Sequence, residues 1–151
     1  MIGSQPTAEL IGMRARSEFK NDIYFITDLS DEYINSAYSG ASCLLFPSLA
    51  EGFGWPIAEA MASGTPVITT DRAPMNEVGG TAAFYINKRP FENLELNKWQ
   101  VTASAVLNNI ISLNSIQREV VIQQSIIQSQ KFNTAICLDA IENCYKEIIS
   151  P

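Results

Sequence analysis

The sequence contains no histidine, and this absence excludes several kinds of site. Imidazole is the base in serine and cysteine hydrolase triads and a common ligand of zinc. Neither a histidine-dependent triad nor a histidine-ligated metal can be built from this chain. Any chemistry has to use carboxylates, backbone dipoles, cations or the substrate itself.

Positive charge is also scarce, with 10 Lys+Arg against 16 Asp+Glu in 151 residues and a net charge of −6. Proteins that bind nucleic acid or anionic membrane surfaces neutralise phosphates with clustered cations. The sequence therefore predicts no nucleic-acid partner. The apolar runs are short, such as 43–46, far below the ~20 residues of a membrane-spanning helix.

The first nine residues lack the charged and apolar segments of a secretory signal, so a cytoplasmic location is expected. The three cysteines, Cys43, Cys137 and Cys144, have apolar neighbours and form no Cys-x-x-Cys pair. An odd number of such residues favours buried free thiols over a disulfide or a metal site. We expect one domain over 1–151, without a metal.

Turn-forming residues stop midway along the chain, because all eight glycines lie between Gly3 and Gly80 and six of the seven prolines lie no later than Pro90. Before that point, short apolar runs alternate with helical stretches. The runs are 23–26, 43–46, 66–69 and 83–86. This pattern predicts an α/β fold, a Rossmann-like parallel sheet with helices on both faces. From about 97 to 150, apolar spacing near 3.6 predicts a helical extension of two or three packed amphipathic helices.

The segment 46–68 is typical of a strand, a glycine loop, a helix over about 56–63 and a second strand. Gly52 and Gly54 let the backbone approach a ligand closely. We expect the N–H groups of Gly54, Trp55 and Ile57 to be free at the positive end of the helix. Such a loop is suited to a diphosphate, which Trp55 would cover.

Two carboxylates bracket this loop, Glu51 before it and Glu59 within the helix. Taken singly, each is explained as a solvated acid, with Glu59 stabilised by the helix dipole. Taken together, carboxylates beside a phosphate site would repel phosphate, so we interpret them as ligands of hydroxyl groups on either side of a diphosphate. That arrangement matches a nucleotide sugar.

The same residues resemble the C-terminal nucleotide-binding domain of retaining group 1 glycosyltransferases of the GT-B fold, a family marked by Glu-x7-Glu. The family's run Pro-Ser-x-x-Glu-Gly-Phe-Gly-x-Pro-x-x-Glu-Ala-Met-Ala-x-Gly-x-Pro-Val-Ile is met at every fixed position from Pro47 to Ile68. The segment 22–46 is similar to the preceding strand, helix and strand, 76–80 to a Glu-Val-x-Gly turn, and 132–149 to the terminal helix.

The resemblance implies roles for individual residues in binding a nucleotide-sugar donor. Glu51 would be the catalytic carboxylate at the donor sugar's hydroxyls, and Glu59 would hold the ribose. The remaining donor-binding positions are the amides of Gly52, Phe53 and Gly54 at the sugar and phosphate, and Ile26 and Thr27 at the base. The family transfers the sugar with retention and without a metal, in glycan or polysaccharide biosynthesis, while the leaving diphosphate helps to take the acceptor's proton.

The family builds its active site between two domains, and this chain has room for one. The expected partner is therefore an N-terminal acceptor-binding domain, through which any membrane contact would be made. The first strand and its phosphate-neutralising cations are also missing, because Arg14, Arg16 and Lys20 do not match that motif. We expect the chain alone to be inactive, and to self-associate or to close its open edge by another strand pairing.

Two other functions are compatible with the loop. A dinucleotide-binding oxidoreductase would use Gly52, Gly54 and Asp71, although Ile57 stands where its third glycine belongs. A non-catalytic module would bind the nucleotide sugar without turnover. The other aromatic residues are predicted to pack in the core rather than to stack on sugar; they are Tyr24, Phe25, Phe84, Tyr85 and Trp99.

Overall fold

A computed structural model describes residues 1–149, apart from the side chain of Asn93. The elements follow in the order α1 (Ala8–Arg16), α2 (Asp31–Gly40), β1 (Leu44–Phe46), α3 (Trp55–Ala62), β2 (Val67–Thr70), α4 (Met75–Gly79), β3 (Phe84–Ile86), α5 (Asn93–Ile111), α6 (Ser115–Ser129), a 3₁₀ turn (Gln130–Phe132) and α7 (Thr134–Ile149). The chain forms two compact units, Met1–Ala37 and a larger one that begins at Tyr38.

The smaller unit contains α1, which Thr7 caps by accepting a hydrogen bond from the N–H of Leu10. The predicted strand 23–26 is wrong, because only Ile26 pairs, in an isolated parallel bridge with Ile2. Tyr24 is 62% exposed, so its predicted core position is wrong as well. Apolar content alone did not make this run a strand, since a strand needs consecutive paired residues.

The larger unit is built on a parallel three-stranded sheet in the order β1-β2-β3. All four residues of the central strand β2 are buried, as expected for a sheet covered on both faces. Its threonine hydroxyls are satisfied by donating to main-chain oxygens, Thr69 to Phe46 at 2.9 Å and Thr70 to Ser48 at 2.8 Å. The predicted parallel sheet is confirmed in this unit, with strand bounds shifted by one residue.

Helices cover both faces of this sheet. On one face, Ile57 and Met61 of α3 pack with Val67 and Met75, and α6 packs on α3 near Gly64. On the other face, α5 places Ile110 against Ile68 and Ile86. Close packing on both sides fixes the direction of α3, the helix that follows the glycine loop.

The predicted helical extension is confirmed as three helices, beginning at 93 rather than 97. A capping box between Asn114 and Gln117 starts α6. The prediction of packed helices is wrong for α7, which buries no residue within the described chain. Its exposed apolar side chains are Ile136, Leu138, Ile141, Tyr145, Ile148 and Ile149.

The three cysteines are free thiols, but their predicted burial is wrong for two of them. Cys137 and Cys144 are exposed because they lie on α7, and Cys43 is half-buried. Burial raises the pKa of the Cys43 thiol, while the charge of Arg118 acts in the opposite direction. Over residues 1–149, no helix combines the length and the apolar character needed to cross a bilayer.

Candidate functional site

The glycine loop leaves the carboxyl end of β1 and enters α3. Ligands of parallel α/β sheets bind at this edge, where the loops after the strands converge. The predicted order of strand, loop, helix and strand is confirmed, with α3 over Trp55–Ala62 instead of 56–63. Pro56 lies in the first turn of α3, where the missing N–H leaves no internal bond unmade.

Gly54 caps α3 with a φ of 99°, a left-handed conformation that strains other residues. No side chain caps the helix. In the part of the chain that the structure describes, the N–H groups of Gly52, Phe53, Gly54 and Trp55 donate to no protein acceptor. The positive end of α3 is therefore open to an anion.

The predicted free N–H of Ile57 is wrong. This group donates to the carbonyl oxygen of Gly54 at 3.0 Å, which closes the first turn of α3. Ile57 is fully buried, and its Cδ1 would lie 3.3 Å from a Cβ at Gly54. Its contribution is to pack beneath the loop rather than to bind a ligand.

Glu51 is half-buried and oriented by Ser48, whose hydroxyl donates to Oε1 at 2.7 Å. The same hydroxyl lies 3.2 Å from the carbonyl oxygen of Ala50, so the turn before the loop is closed locally. Among residues 1–149, no partner is found for its other oxygen, Oε2, which is therefore left for a ligand. Ser48 was not among the predicted site residues, although serine side chains commonly bond to backbone groups a few residues away, as this one does to Ala50.

Glu59 is exposed on α3 as its fifth residue, beyond the first turn, so dipole stabilisation alone is a poor explanation of its place. The hydroxyl of Tyr38, in the last turn of α2, donates to its Oε2 at 3.2 Å. Burial, followed by the charge and the hydrogen bond of Glu59, raises the pKa of Tyr38 to about 12. No local sequence signal indicated this contact, because the two residues are 21 positions apart.

Trp55 stands at the open end of α3 with 60% of its surface exposed. The centroid of its ring lies 4.7 Å from that of Phe53. The rings of Phe53 and Phe132 pack edge to face, with their centroids 5.3 Å apart. The three aromatic rings support the loop from one side and leave a face of Trp55 uncovered. Trp99 is half-buried and donates from Nε1 to the carbonyl oxygen of Asn87, in agreement with a structural role.

The turn 76–80 is fixed from two directions. Gln128 of α6, which is buried, donates from Nε2 to the carbonyl oxygen of Val78 at 3.0 Å, and the hydroxyl of Tyr85 donates to that of Gly80. Asp71 accepts a hydrogen bond from Asn76 at 3.1 Å. The carboxylate of Asp71 is thus part of a local turn, and its part in binding a dinucleotide stays untested.

Ile26 and Thr27 lie in the smaller unit. The N–H of Ile26 donates to the carbonyl oxygen of Met1, and its carbonyl oxygen accepts from the N–H of Gly3. The hydroxyl of Thr27 accepts a hydrogen bond from the side-chain amide of Gln5. Their proposed contact with a base stays a prediction.

A cleft of 230 Å³ lies beyond the end of β3, beside Asn87, Lys88, Lys98 and Trp99. It contains none of the residues of the glycine loop. Within residues 1–149, no three of the cysteine, aspartate and glutamate side chains are grouped so that they could hold a metal ion.

The glycine loop lies within the segment of this chain that matches a known family. The sequence model of the family described as Glycosyl transferases group 1 matches residues 1–95. The O-antigen chain mannosyltransferase RfbU of Salmonella typhimurium is 43% identical over 46% of this chain and 20% of its own length. O-antigen chain mannosyltransferase B of Escherichia coli is 27% identical over 82% of this chain and 30% of its own.

A third relative, the MMP alpha-(1->4)-mannosyltransferase of Mycolicibacterium hassiacum, is 37% identical over 50% of this chain and 18% of its own length. Among solved structures, the GtfA/B complex superposes with a TM-score of 0.70 at 20% identity, over 97% of this chain and 29% of that one. This similarity shows a shared fold. The chain spans only 18 to 30% of the length of these three curated relatives.

Proposed function

Because the chain belongs to the family Glycosyl transferases group 1, we propose that its loop 51–59 binds the nucleotide-sugar donor of a glycosyl transfer. The observation that carries the proposal is the open end of α3, where unbonded N–H groups lie between Glu51 and Glu59. Amides and a helix dipole suit a diphosphate, and carboxylates suit the hydroxyl groups on either side of it.

In this proposal the two carboxylates have different tasks. Glu51 contacts hydroxyl groups of the donor sugar and stabilises the positive charge that develops on the ring during transfer. Glu59 accepts hydrogen bonds from the ribose. The amides of Gly52, Phe53 and Gly54 bind the sugar and the diphosphate, and Trp55 covers them.

The sugar transferred is proposed to be mannose, because all three of the relatives described above are named mannosyltransferases. Transfer is proposed to proceed with retention and without a metal, as the family resemblance implies, and the positive end of α3 stabilises the leaving diphosphate. The acceptor is bound by a part of the enzyme that the matched relatives have beyond the segment they share with this chain.

Donor binding is tested by titration calorimetry of the protein with GDP-mannose, UDP-glucose and ADP-glucose. Glu59→Ala is expected to weaken nucleotide binding by ~1–3 kcal/mol, because the carboxylate would no longer accept hydrogen bonds from the ribose hydroxyls. The matched control is Glu119→Ala, which removes an exposed carboxylate from α6. Failure of all three donors to bind would refute the proposal.

The catalytic role of Glu51 is tested in the enzyme that carries this domain. Glu51→Gln should lower kcat far more than donor affinity, because the charge matters most as the ring becomes positive. A variant with normal turnover would exclude that role. Donor binding by a complete enzyme that transfers no sugar would favour the non-catalytic module.

A further inference from the structure

Tyr38 is attached at two points to the segment that carries Glu59. Its hydroxyl donates to Oε2 of Glu59 at 3.2 Å, and its carbonyl oxygen accepts from the hydroxyl of Thr65 at 2.6 Å. Thr65 is 2% exposed and its N–H bonds to Ala60 of α3 at 2.9 Å. The main chain of Tyr38 is therefore tied through Thr65 to Ala60, the residue that follows Glu59 on α3.

The Tyr38 ring is also restricted, because it packs against the buried cluster that contains Ile57 and Met61. Glu59, in contrast, is exposed and has no ion pair within residues 1–149. A fixed donor beside an exposed carboxylate limits the directions in which that carboxylate can point.

We propose that Tyr38 is a positioning residue for Glu59: its hydroxyl holds Oε2 and directs Oε1 toward the ribose hydroxyls of the donor. The inference rests on the proposed function, since it assigns Glu59 a ligand. At 3.2 Å the bond is longer than the ~2.7 Å usual between a hydroxyl and an oxygen acceptor. We expect it to shorten when a nucleotide is bound.

A phenol is well suited to this task beside a diphosphate. It donates a hydrogen bond without adding charge, and because its pKa is raised to about 12 it stays protonated at neutral pH. An ionised group in its place would either repel the diphosphate or compete with the ribose for Glu59.

The test compares a nucleoside diphosphate with its 2′,3′-dideoxy counterpart, which lacks the hydroxyls that Glu59 would bind. The Kd values of GDP and dideoxy-GDP, and of the UDP and ADP pairs, are measured for the wild type, Tyr38→Phe, Glu59→Gln and the double variant. Tyr38→Phe is expected to weaken the ribonucleotide by about 2- to 10-fold, the range of one hydrogen bond, and to leave the dideoxynucleotide within about 2-fold. In the Glu59→Gln background it should cause no further loss.

A second measurement needs no nucleotide. Tyrosine ionisation is followed by ultraviolet absorbance, and Tyr38→Phe identifies the step near pH 12. Glu59→Gln should lower that step but leave it above 10.0, because burial, the larger cause of the raised pKa, remains while the neighbouring charge is removed. Tyr33→Phe is the control, since Tyr33 lies on the same helix, is 64% exposed and has no hydroxyl hydrogen bond in the described chain.

Equal weakening of the ribo- and dideoxynucleotides by Tyr38→Phe, or no weakening of either, overturns the inference and leaves donor binding intact. So does a Tyr38 titration that Glu59→Gln fails to move. Absence of nucleotide binding by the wild type overturns both the proposed function and the positioning role. Weakening confined to the ribonucleotide, together with the shifted titration, supports the inference.

Discussion

Helices α3 and α7 have opposite relations to the core. Eight residues make up α3 and four of them are buried, whereas α7 has sixteen residues and buries none within the described chain. Both contain apolar side chains at helical spacing. The difference is that sheet and helices surround α3, while α7 contacts mainly the preceding 3₁₀ turn. Burial depends on neighbouring elements as well as on the pattern of a helix, and the candidate site lies on the helix with more neighbours.

The largest expected effect distinguishes a buried side chain of α3 from an exposed side chain of α7. Met61→Ala removes a fully buried side chain of α3 and should lower the free energy of unfolding by ~2–5 kcal/mol. Leu138→Ala on α7, at a side chain 59% exposed, should change it by less than ~0.5 kcal/mol. Urea unfolding followed by circular dichroism measures both. Similar losses would mean that α7 is packed in solution.

The next effect extends the comparison to the turn beneath α6. Gly80 has a φ of 53°, and a Cβ there would lie 2.6 Å from Nε2 of Gln128. Gly80→Ala should therefore destabilise the protein by ~1–3 kcal/mol. Gly40→Ala is the matched control, because a Cβ at Gly40 meets nothing within 4 Å. A fall in Tm for Gly40→Ala as large as that for Gly80→Ala would contradict this account of the turn.

A smaller effect depends on pH. Tyr38 has a folded pKa of about 12, raised from 10.0 by burial and then by Glu59, and burial raises the pKa of Tyr85 too. Their contribution to stability is complete below pH 10, where the unfolded tyrosines are still protonated, and is lost as pH rises toward 12. Because Tyr38 is only half-buried, about 1 kcal/mol is expected from it. Tyr38→Phe should flatten the stability profile above pH 10, measured by urea unfolding at each pH.

The smallest effect is on the exposed helix itself. Lys146 and Glu142 form an i,i+4 pair at 2.7 Å on α7, with side chains 66% and 63% exposed. Glu142→Gln should lower the stability of α7 by ~0.3–0.5 kcal/mol at low salt and by less at high salt. Amide hydrogen exchange within α7 detects a change of this size. An effect on exchange in β2 would show that α7 is coupled to the sheet.

The segment 47–68 was predictable because its fold is specified locally. Pro56 and Gly64 define the ends of α3, Gly54 supplies the left-handed residue before it, and the run after Gly64 is buried as a central strand. The parallel order of the sheet followed from the alternation of strands and helices. The open helix end between two glutamates was likewise expected from residue types and spacing.

The rest depended on contacts between distant residues. The run 23–26 resembles the other strands in composition, but only Ile26 has a pairing partner. Two thiols predicted to be buried lie on a helix that buries none of its residues within the described chain. The hydroxyl that holds Glu59 comes from Tyr38, 21 positions away, and the sequence around each residue gives no sign that the two are in contact.

The exposed thiols of α7 offer a means of attaching probes to this helix. Cys137 and Cys144 are seven residues apart, so they lie on the same side of the helix about 10 Å from one another. Cys43 is half-buried and its raised pKa disfavours the reactive thiolate at neutral pH. Maleimide dyes or spin labels should therefore modify α7 first and leave the sheet native. Measurements on such a labelled protein would follow the surroundings of α7 separately from events at the glycine loop.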